Sequence, residues 1–449
     1  MRKIDLTYPR KKFLWYYAAL NWVIKQALYV YYRRVKVVNL EKNLPKDAPV
    51  MLSANHQSAF IDPINMVAFT PLNYQPSFLG RADAVASPAG KFLRAFRCIP
   101  IYRPRDGEGY RAYNVGVFKE CGHRLSRNGS ILIFPEGNHD NRRSLRELKS
   151  GVARIGFEGA KVVNFEKPVY IQTIGLNYSD HMRFQSDLIV IYNEPINMAN
   201  YYDLYQENPK QAVKAVMEEV REKIGGSMID LGEENLELID RIRQISAAHE
   251  SDEDIYAQWK RDMARVEEWE NALSQDPVLV EVMRAKVDEY DALQDELSLT
   301  DRSIAENNRS VSALLVQALL LLCVLPVHVW GWIHHVVPYL LSSRLPMKIV
   351  KDELWYSSLS FSIAVIFLPI YYLILGLTAG FAFSWPIAGA YLISVMGAGW
   401  ISLKLRHAWR VWGQRWRATQ YARRDLPKFK QLKALGKEIF ERMFTFQPN

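Results

Sequence analysis

The chain has 449 residues, a formal net charge of +9 and a hydrophobic content of 49%. This length is sufficient for one sizeable core and a second unit. The three widely spaced cysteines, Cys98, Cys121 and Cys323, argue against a disulfide framework or a zinc site and favour a reducing compartment. Positive charge is concentrated after the last apolar run, which favours anionic membrane lipids over nucleic acid as a partner.

Residues 1–36 contain an aromatic and apolar stretch between Leu14 and Tyr32, flanked by basic residues at 10–12 and 33–36. Asn21 and Lys25 interrupt the stretch, so it is a poor membrane span. We expect an N-terminal amphipathic helix lying in the membrane interface. A surface helix packed on the following domain is an equally compatible alternative.

Residues 37–225 alternate short apolar runs with helical segments, which predicts an α/β domain with a mixed sheet and flanking helices. The clearest strands are expected at 49–52, 98–105, 131–134 and 169–175.

The stretch after the first of these strands places a histidine near a carboxylate. His56 follows the strand, and Asp62-Pro63 is expected to begin a helix with Asp62 as its N-cap. The two residues can meet only if the residues between them form a turn. A carboxylate that holds Nδ1–H would leave Nε2 to take a proton from a hydroxyl. The structural alternative is a hydrogen-bonded histidine and a simple helix cap.

Four motifs in order resemble the glycerolipid acyltransferase superfamily of the PlsC type, over roughly residues 35–225. They are Asn55-His56 followed by Asp62, an apolar strand ending at Arg103, Phe134-Pro135-Glu136-Gly137, and a strand led by Pro168 that ends in Gly175-Leu176-Asn177-Tyr178. The resemblance implies direct transfer of an acyl group from a thioester to a hydroxyl, without an acyl-enzyme.

The resemblance also implies roles for individual residues. His56 would be the general base and Asp62 would orient its ring. Arg103 and Arg105 would bind the phosphate of the acceptor, since a guanidinium matches phosphate oxygens. The remaining expected substrate-binding residues are Asn55, Glu136, Gly137, Asn138 and Lys149. No metal or cofactor is expected beyond the co-substrate, an acyl-CoA or acyl carrier protein thioester.

The chain departs from the usual family pattern at two positions. Five residues, Gln57 to Ile61, separate His56 from Asp62 where four are usual. Asn138 occupies the position where Ser or Thr normally follows Glu-Gly. Because Asn can also donate and accept hydrogen bonds, we expect altered substrate detail with activity retained.

Residues 226–310 are acidic and helical in pattern. Apolar residues recur every three or four positions from Ile255 to Leu273 and from Met283 to Leu297, and Asp276-Pro277 between them is typical of a helix stop and restart. This predicts an antiparallel helical hairpin.

Residues 311–403 contain three apolar runs, at about 313–333, 359–378 and 381–403, each close to the length of a bilayer span. A basic tail, 404–449, follows. Positive residues favour the cytoplasmic side, so we expect an integral membrane protein whose catalytic domain and tail are both cytoplasmic. An even number of crossings then makes the first run re-entrant or interfacial and the last two a transmembrane hairpin.

Together these features predict a membrane-bound acyltransferase of phospholipid synthesis. It would move a fatty acyl group from acyl-CoA or acyl carrier protein to the hydroxyl of a lysophosphatidic acid, another lysophospholipid or a glycerol phosphate. A glycerol-3-phosphate or dihydroxyacetone-phosphate acyltransferase is an alternative, as is a non-catalytic membrane scaffold with a degenerate fold. A serine hydrolase is disfavoured because the chain has no Gly-x-Ser-x-Gly motif.

Overall fold

The computed structural model describes residues 14–87, 90–140, 142–232, 235–250, 254–306 and 310–445. The basic residues at 10–12 and the last four residues of the predicted tail lie outside these ranges. The chain divides into two compact units. The first comprises Met1–Ile229 with Asp352–Leu359, and the second comprises Asp230–Lys351 with Ser360–Asn449.

The first unit is built on eight described strands. They are β1 (Arg34–Val38), β2 (Val50–Ala54), β3 (Ser77–Arg81), β4 (Cys98–Ile101), β5 (Ser130–Ile133), β6 (Tyr170–Tyr178), β7 (Asp187–Tyr192) and β8 (Ile196–Asn197). The strand order is β1-β7-β6-β2-β5-β3-β4, and β8 pairs with β6. Most neighbours are parallel, whereas β6 is antiparallel to β7 and to β8. The predicted mixed α/β sheet is therefore confirmed.

Helices precede, connect and follow the strands of this unit. They are α1 (Trp15–Tyr31), α2 (Leu40–Asn43), α3 (Ile61–Phe69), α4 (Ala82–Ala86), α5 (Gly90–Ala95), α6 (Tyr110–Leu125), α7 (Gly151–Val162), α8 (Tyr202–Glu207) and α9 (Pro209–Gly225). The core between sheet and helices is apolar and contains fully buried side chains such as Ile131, Ile155, Phe157 and Val216. Burial of this apolar surface is the main force holding the layers together.

The parallel arrangement brings four strand ends to one edge of the sheet. β2, β5, β3 and β4 are neighbours in that order and point the same way. His56, Glu136 and Arg103 each follow the carboxyl end of one of these strands. The sequence motifs, which are far apart in the chain, therefore share one edge.

Helix α1 has two different faces. Tyr17 and Leu28 are buried, and the Asn21 side-chain amide donates to the Val67 carbonyl on α3 at 2.8 Å. On the other face Trp15 is 75% exposed and Trp22 is 60% exposed. One face is thus packed on the domain, and the other presents the aromatic residues expected at a membrane interface.

The second unit is helical throughout its described residues. Its helices are α10 (Leu236–Ala248), α11 (Ile255–Gln275), α12 (Pro277–Leu297), α13 (Asp301–Ala305), α14 (Val311–Cys323), α15 (Leu325–Ile349), the greater part of α16 (Tyr356–Ala382), α17 (Trp385–Arg423) and α18 (Pro427–Thr445). Asp276 caps α12 by accepting from the Val278 and Leu279 amides, at the break predicted between α11 and α12. Helix α12 packs mainly against α18, a partner that the hairpin prediction did not include.

The apolar runs form long helices in the structure. The segments Glu353–Ala382 and Trp385–Arg423 are each long and apolar enough to cross a membrane. Helices α14 and α15 together would make a third span, but they are bent by 55° at their junction. Within the described residues, two to three candidate spans are therefore present, which is consistent with membrane association.

Helix α17 continues well beyond the predicted end of its apolar run at Leu403. Its 39 residues include the basic stretch that begins at Lys404. Near its end, the Arg415 guanidinium pairs with the Glu306 carboxylate at 2.5 Å, and Arg417 donates to the Ser298 carbonyl at 3.2 Å. Part of the basic stretch is thus used in contacts within the second unit.

The close approach of β6 to the turn after α9 gives a test of the fold. A Cβ at Gly175 would lie 1.9 Å from the Ser227 carbonyl oxygen, whereas a Cβ at exposed Gly116 on α6 would contact nothing within 4 Å. We expect Gly175→Ala to lower the free energy of unfolding by about 3 kcal/mol. The control, Gly116→Ala, should raise it by about 0.5–1 kcal/mol, since Ala favours helix.

Thermal unfolding of the two purified variants measures both effects. Equal melting temperatures for Gly175→Ala and the wild type would contradict this packing of β6.

Candidate active site

The centre of the site is a contact between His56 and Asp62. The His56 Nδ1 atom lies 2.8 Å from Asp62 Oδ2, and the Asp62 side chain is completely buried. Because an ionised carboxylate only accepts hydrogen bonds, Nδ1 must carry the proton in this contact. Nε2 is then the ring nitrogen that can accept a proton, and the His56 side chain remains 13% exposed.

Asp62 lies in the first turn of α3. It is not the N-cap that the sequence predicted, because Phe60 occupies that position. Its carboxylate points instead into the turn that precedes the helix. Oδ2 also accepts the Ser58 amide at 2.7 Å, and Oδ1 accepts the Tyr178 hydroxyl at 2.5 Å. The prediction of an N-cap was wrong because Asp62 lies within the helix and its carboxylate accepts from Ser58, before the helix, and from Tyr178 on β6.

Tyr178, at the end of β6, links the carboxylate to the rest of the fold. Burial, followed by the charge of Asp62, raises the pKa of Tyr178 well above its ordinary value, so the hydroxyl stays protonated and donates. The Asn65 side-chain amide donates to the hydroxyls of Tyr178 and Tyr32, at 2.9 and 2.8 Å. Each of these side chains is buried, which holds Asp62 in one orientation.

The backbone of His56 is held by a second carboxylate. Glu136 Oε1 accepts the His56 amide at 2.6 Å, and Glu136 Oε2 accepts from Arg146 Nε at 2.7 Å. Arg146 also donates to the carbonyls of His56 and Asn138. Burial raises the pKa of the Glu136 carboxyl, and the Arg146 guanidinium partly offsets this rise. Glu136 and Arg146 therefore connect the loop after β5 to the loop after β2.

Aromatic rings surround the imidazole. The His56 ring stacks on Phe134 with centroids 4.2 Å apart and an interplanar angle of 22°. His139 meets it edge-on at 5.5 Å, and Trp355 in turn lies 5.5 Å from His139. Burial, and then the proximity of His56, lowers the pKa of His139. His139 is therefore neutral at pH 7, and its ring borders that of His56.

Arg103 lies at the same edge of the sheet but is engaged by carboxylates. Its guanidinium contacts Asp106 at 3.1 Å and Asp83 at 3.2 Å, and Asp83 also pairs with Arg81 at 2.6 Å. The Arg81 hydrogen bond is the main cause that lowers the pKa of the Asp83 carboxyl to about 2. Arg81 and Arg103 thus form a two-arginine cluster at the ends of β3 and β4. The carboxylates of Asp83 and Asp106 balance its charge. Arg81 is an addition to the residues predicted from the sequence.

The structure places Asn55 inside the fold. Its side chain is 1% exposed, accepts the Leu176 amide at 2.7 Å and donates to the Leu176 carbonyl at 3.0 Å. Both ends of the amide are thus used to hold β6 beside the loop that carries His56. This arrangement favours a positioning role over the direct substrate contact that we expected.

The other predicted residues lie on or near the loop after β5. Gly137 adopts a φ of +74°, which explains the glycine, and the Lys149 side chain packs beside it. The Lys149 amide donates to the Pro135 carbonyl, while its ammonium group is exposed near Glu147. Asn138 contributes its carbonyl to Arg146. Arg105, after β4, is exposed.

Several residues of the site were not identified from the sequence. The four sequence motifs do not include Arg146, and they include Tyr178 only as the last residue of the fourth motif. Their partners lie ten to more than one hundred positions away, at separations for which local patterns carry no signal. The available signals were the Tyr that ends the last motif and the Arg ten residues after Glu136. In the described part of the chain, no group of three or more His, Cys, Asp and Glu side chains is arranged to hold a metal ion.

A mixed α/β sheet with a His–Asp contact at its carboxyl edge is an arrangement suited to general-base chemistry on a hydroxyl. The Acyltransferase family model matches residues 34–177, which include His56, Asp62, Arg103 and Glu136. This part of the chain therefore belongs to the acyltransferase family.

Two curated relatives cover parts of the chain. "Glycerol-3-phosphate O-acyltransferase 2" of Saccharomyces cerevisiae is 30% identical over 108 residues, which are 24% of this chain and 14% of the yeast protein. A "Probable 1-acyl-sn-glycerol-3-phosphate acyltransferase" of Mycoplasma pneumoniae is 25% identical over 197 residues, covering 40% of this chain and 70% of that protein. The chain thus spans only a small part of the yeast relative.

Among solved structures, the crystal structure of the 1-acyl-sn-glycerophosphate (LPA) acyltransferase PlsC from Thermotoga maritima is similar to this chain. The two share 17% identity with a TM-score of 0.32, and the match covers 46% of this chain and 78% of that one.

The lowered pKa of His139 predicts a pH effect on stability. A histidine whose pKa is below its unfolded value of about 6.5 stabilises the fold above that pH, and this stability is lost as the pH falls through the folded pKa. The melting temperature of the wild type should therefore fall more steeply between pH 7.5 and 5.5 than that of His139→Gln.

His123→Gln, on the exposed face of α6, is the matched control and should follow the wild type. Parallel curves for the wild type and His139→Gln would contradict the buried position of this ring.

Proposed function

We propose that the chain transfers a fatty acyl group from an acyl thioester to the hydroxyl of a glycerol phosphate or a lysophosphatidic acid. The observation that carries the proposal is the His56–Asp62 contact at 2.8 Å, at the edge of the sheet that also carries the two-arginine cluster. The family match and the printed names of both curated relatives support the same class of reaction.

In the proposed reaction, His56 Nε2 takes the proton of the acceptor hydroxyl while the hydroxyl oxygen attacks the thioester carbonyl carbon. The C–O bond forms, the C–S bond breaks, and the thiol leaves with the proton that His56 has carried. Asp62 stabilises the imidazolium between these two steps through its contact with Nδ1. No covalent intermediate on the protein is required.

The acceptor phosphate is assigned to Arg81 and Arg103. Guanidinium groups suit this task because their paired N–H donors match phosphate oxygens. β4 is separated from β2 by β5 and β3, which is roughly 14 Å of sheet width. An extended arginine side chain and a glycerol phosphate together bridge that distance, with the hydroxyl at His56 and the phosphate at the arginines.

The apolar helices support a membrane location for the reaction. Long apolar side chains remain exposed on them, for example Ile366 at 66% and Ile393 at 75%. Surfaces of this kind are stable in lipid, where the acyl chains of both substrates also reside. We propose that the catalytic domain acts on the cytoplasmic side of that membrane, with anionic lipids attracted by the basic stretch of α17.

Substitutions at His56 and Asp62 test the general base. We expect His56→Ala to reduce kcat by about 10²- to 10⁴-fold, the range typical of general-base catalysis. Asp62→Asn should reduce it by a similar factor, because an amide cannot stabilise the imidazolium, although it retains the shape of the carboxylate. The assay mixes purified protein with a long-chain acyl-CoA and separately with glycerol 3-phosphate, dihydroxyacetone phosphate and lysophosphatidic acid, and products are identified by mass.

His123→Ala serves as the control and should retain wild-type turnover. Wild-type protein that forms no acylated product with any acceptor, from acyl-CoA or acyl carrier protein, would refute the proposed function. Near-normal turnover by His56→Ala would refute the mechanism alone.

Substitutions at Arg103 and Asp83, which carry opposite charges, test the phosphate site. Arg103→Ala should raise the KM for the phosphorylated acceptor about tenfold or more, with a smaller effect on kcat, because ground-state binding is lost. Asp83→Asn should lower the same KM by about two- to fivefold, since it frees Arg81 and Arg103 from a competing anion.

The KM for the acyl donor is the internal control and should change less than twofold in both variants. Shifts of the acceptor KM in the same direction for the two variants would remove the cluster from the phosphate site.

A further inference from the structure

The segment Asp352–Leu359 is grouped with the catalytic unit, although more than 120 residues separate it from the remainder of that unit. It consists of the short helical turn Glu353–Trp355 and the start of α16. The same stretch opens the candidate membrane span Glu353–Ala382. The beginning of an apolar helix is thus part of the domain that contains His56.

Ser358 contacts the turn between His56 and Asp62 directly. Its hydroxyl oxygen accepts the Phe60 amide at 2.9 Å and the Ile61 amide at 3.1 Å. These amides belong to the N-cap residue and to the first residue of α3, and the Phe60 side chain provides no cap. Since amides at a helix start have no partner within the helix, a hydroxyl placed there satisfies them.

Ser357 contacts the same turn at Ser58, two residues before Phe60. Its hydroxyl lies 3.1 Å from that of Ser58, whose amide donates to Asp62. Ser58 and Ser358 are 0% exposed and Ser357 is 3% exposed, so water does not substitute easily for these contacts. The turn between His56 and Asp62 is therefore held at Ser58 by Ser357 and at Phe60 and Ile61 by Ser358.

Trp355 covers the same turn with its ring. The indole lies 5.1 Å from Phe60 and 5.5 Å from His139, both in edge-on contacts, and His139 borders the ring of His56. The segment thus reaches the catalytic histidine through hydrogen bonds on one side and through aromatic contacts on the other.

We propose that Ser357 and Ser358 are positioning residues of the active site. We also propose that α3 and the turn between His56 and Asp62, here called the catalytic turn, depend on the first turn of α16 for their geometry. This inference rests on the proposed function for its kinetic consequences. The start of the candidate span at Glu353 then helps to position the residues of the acyltransferase site, in addition to any role of the span as a membrane anchor.

The test is Ser358→Ala in the full-length protein. Loss of the Ser358 hydroxyl that accepts these two amides should lower kcat about tenfold, since Asp62 is less firmly placed. The KM for acceptor and donor should change less than twofold, because neither substrate touches Ser358. The control is Ser360→Ala, which removes a hydroxyl two residues further along the same helix and should retain wild-type kcat.

Hydrogen exchange supplies a readout that does not need activity. In Ser358→Ala the amides of Phe60 and Ile61 should exchange at least about tenfold faster, in a peptide spanning residues 57–64, because their acceptor is gone. A peptide from β6, residues 170–178, should exchange at the wild-type rate. A global loss of structure would accelerate both peptides and would count against a local positioning role.

The two readouts separate the possible failures. An active wild type with an unchanged kcat in Ser358→Ala would overturn the positioning role, as would unchanged exchange of the 57–64 peptide. If the wild type has no acyltransferase activity, the proposed function fails, and the exchange experiment still decides whether Ser358 holds this turn.

Discussion

The site depends on keeping one buried carboxylate ionised. An anion without contact with water is strongly destabilised unless hydrogen bonds and charge replace its hydration. Asp62 receives this replacement from the Ser58 amide, the Tyr178 hydroxyl and the His56 ring. These donors come from the catalytic turn and from β6, so the carboxylate is stable only when the sheet and α3 are assembled around it.

Two other charged groups at this edge of the sheet are also balanced by hydrogen bonds and opposite charges. Glu136 is buried and is balanced by Arg146 and by the His56 amide, which fixes the backbone of the residue whose ring Asp62 orients. At the ends of β3 and β4 the signs are reversed, because the cations of the two-arginine cluster are balanced by Asp83 and Asp106. The pair at Glu136 is enclosed and suited to holding structure, whereas the cluster is more exposed and suited to exchanging partners with a ligand.

Much of the domain could be predicted from local patterns. The apolar runs at 50–52 and 131–134 form β2 and most of β5, and His56 follows a strand as expected, because strand signals need only a few residues. The cap at Asp62 was predicted wrongly, since its true partners include Tyr178, which is 116 positions away. Ser357 and Ser358 gave no signal either, because nothing in a serine pair at the start of an apolar run indicates a contact nearly 300 positions distant.

The length of α17 has a consequence for the basic tail. Its 39 residues extend about 58 Å, roughly 28 Å more than the hydrocarbon thickness of a bilayer. Electrostatic attraction to lipid headgroups fades within about 8 Å at physiological ionic strength. In an α17 whose apolar part crosses a bilayer, Lys404 and Arg406 would lie next to the lipid surface. Arg415 lies about 17 Å further along the helix than Lys404, and Arg415 and Arg417 contact Glu306 and Ser298. The basic stretch of α17 therefore has two parts: a first part directly after the apolar run, and a second part that contacts other residues of the second unit.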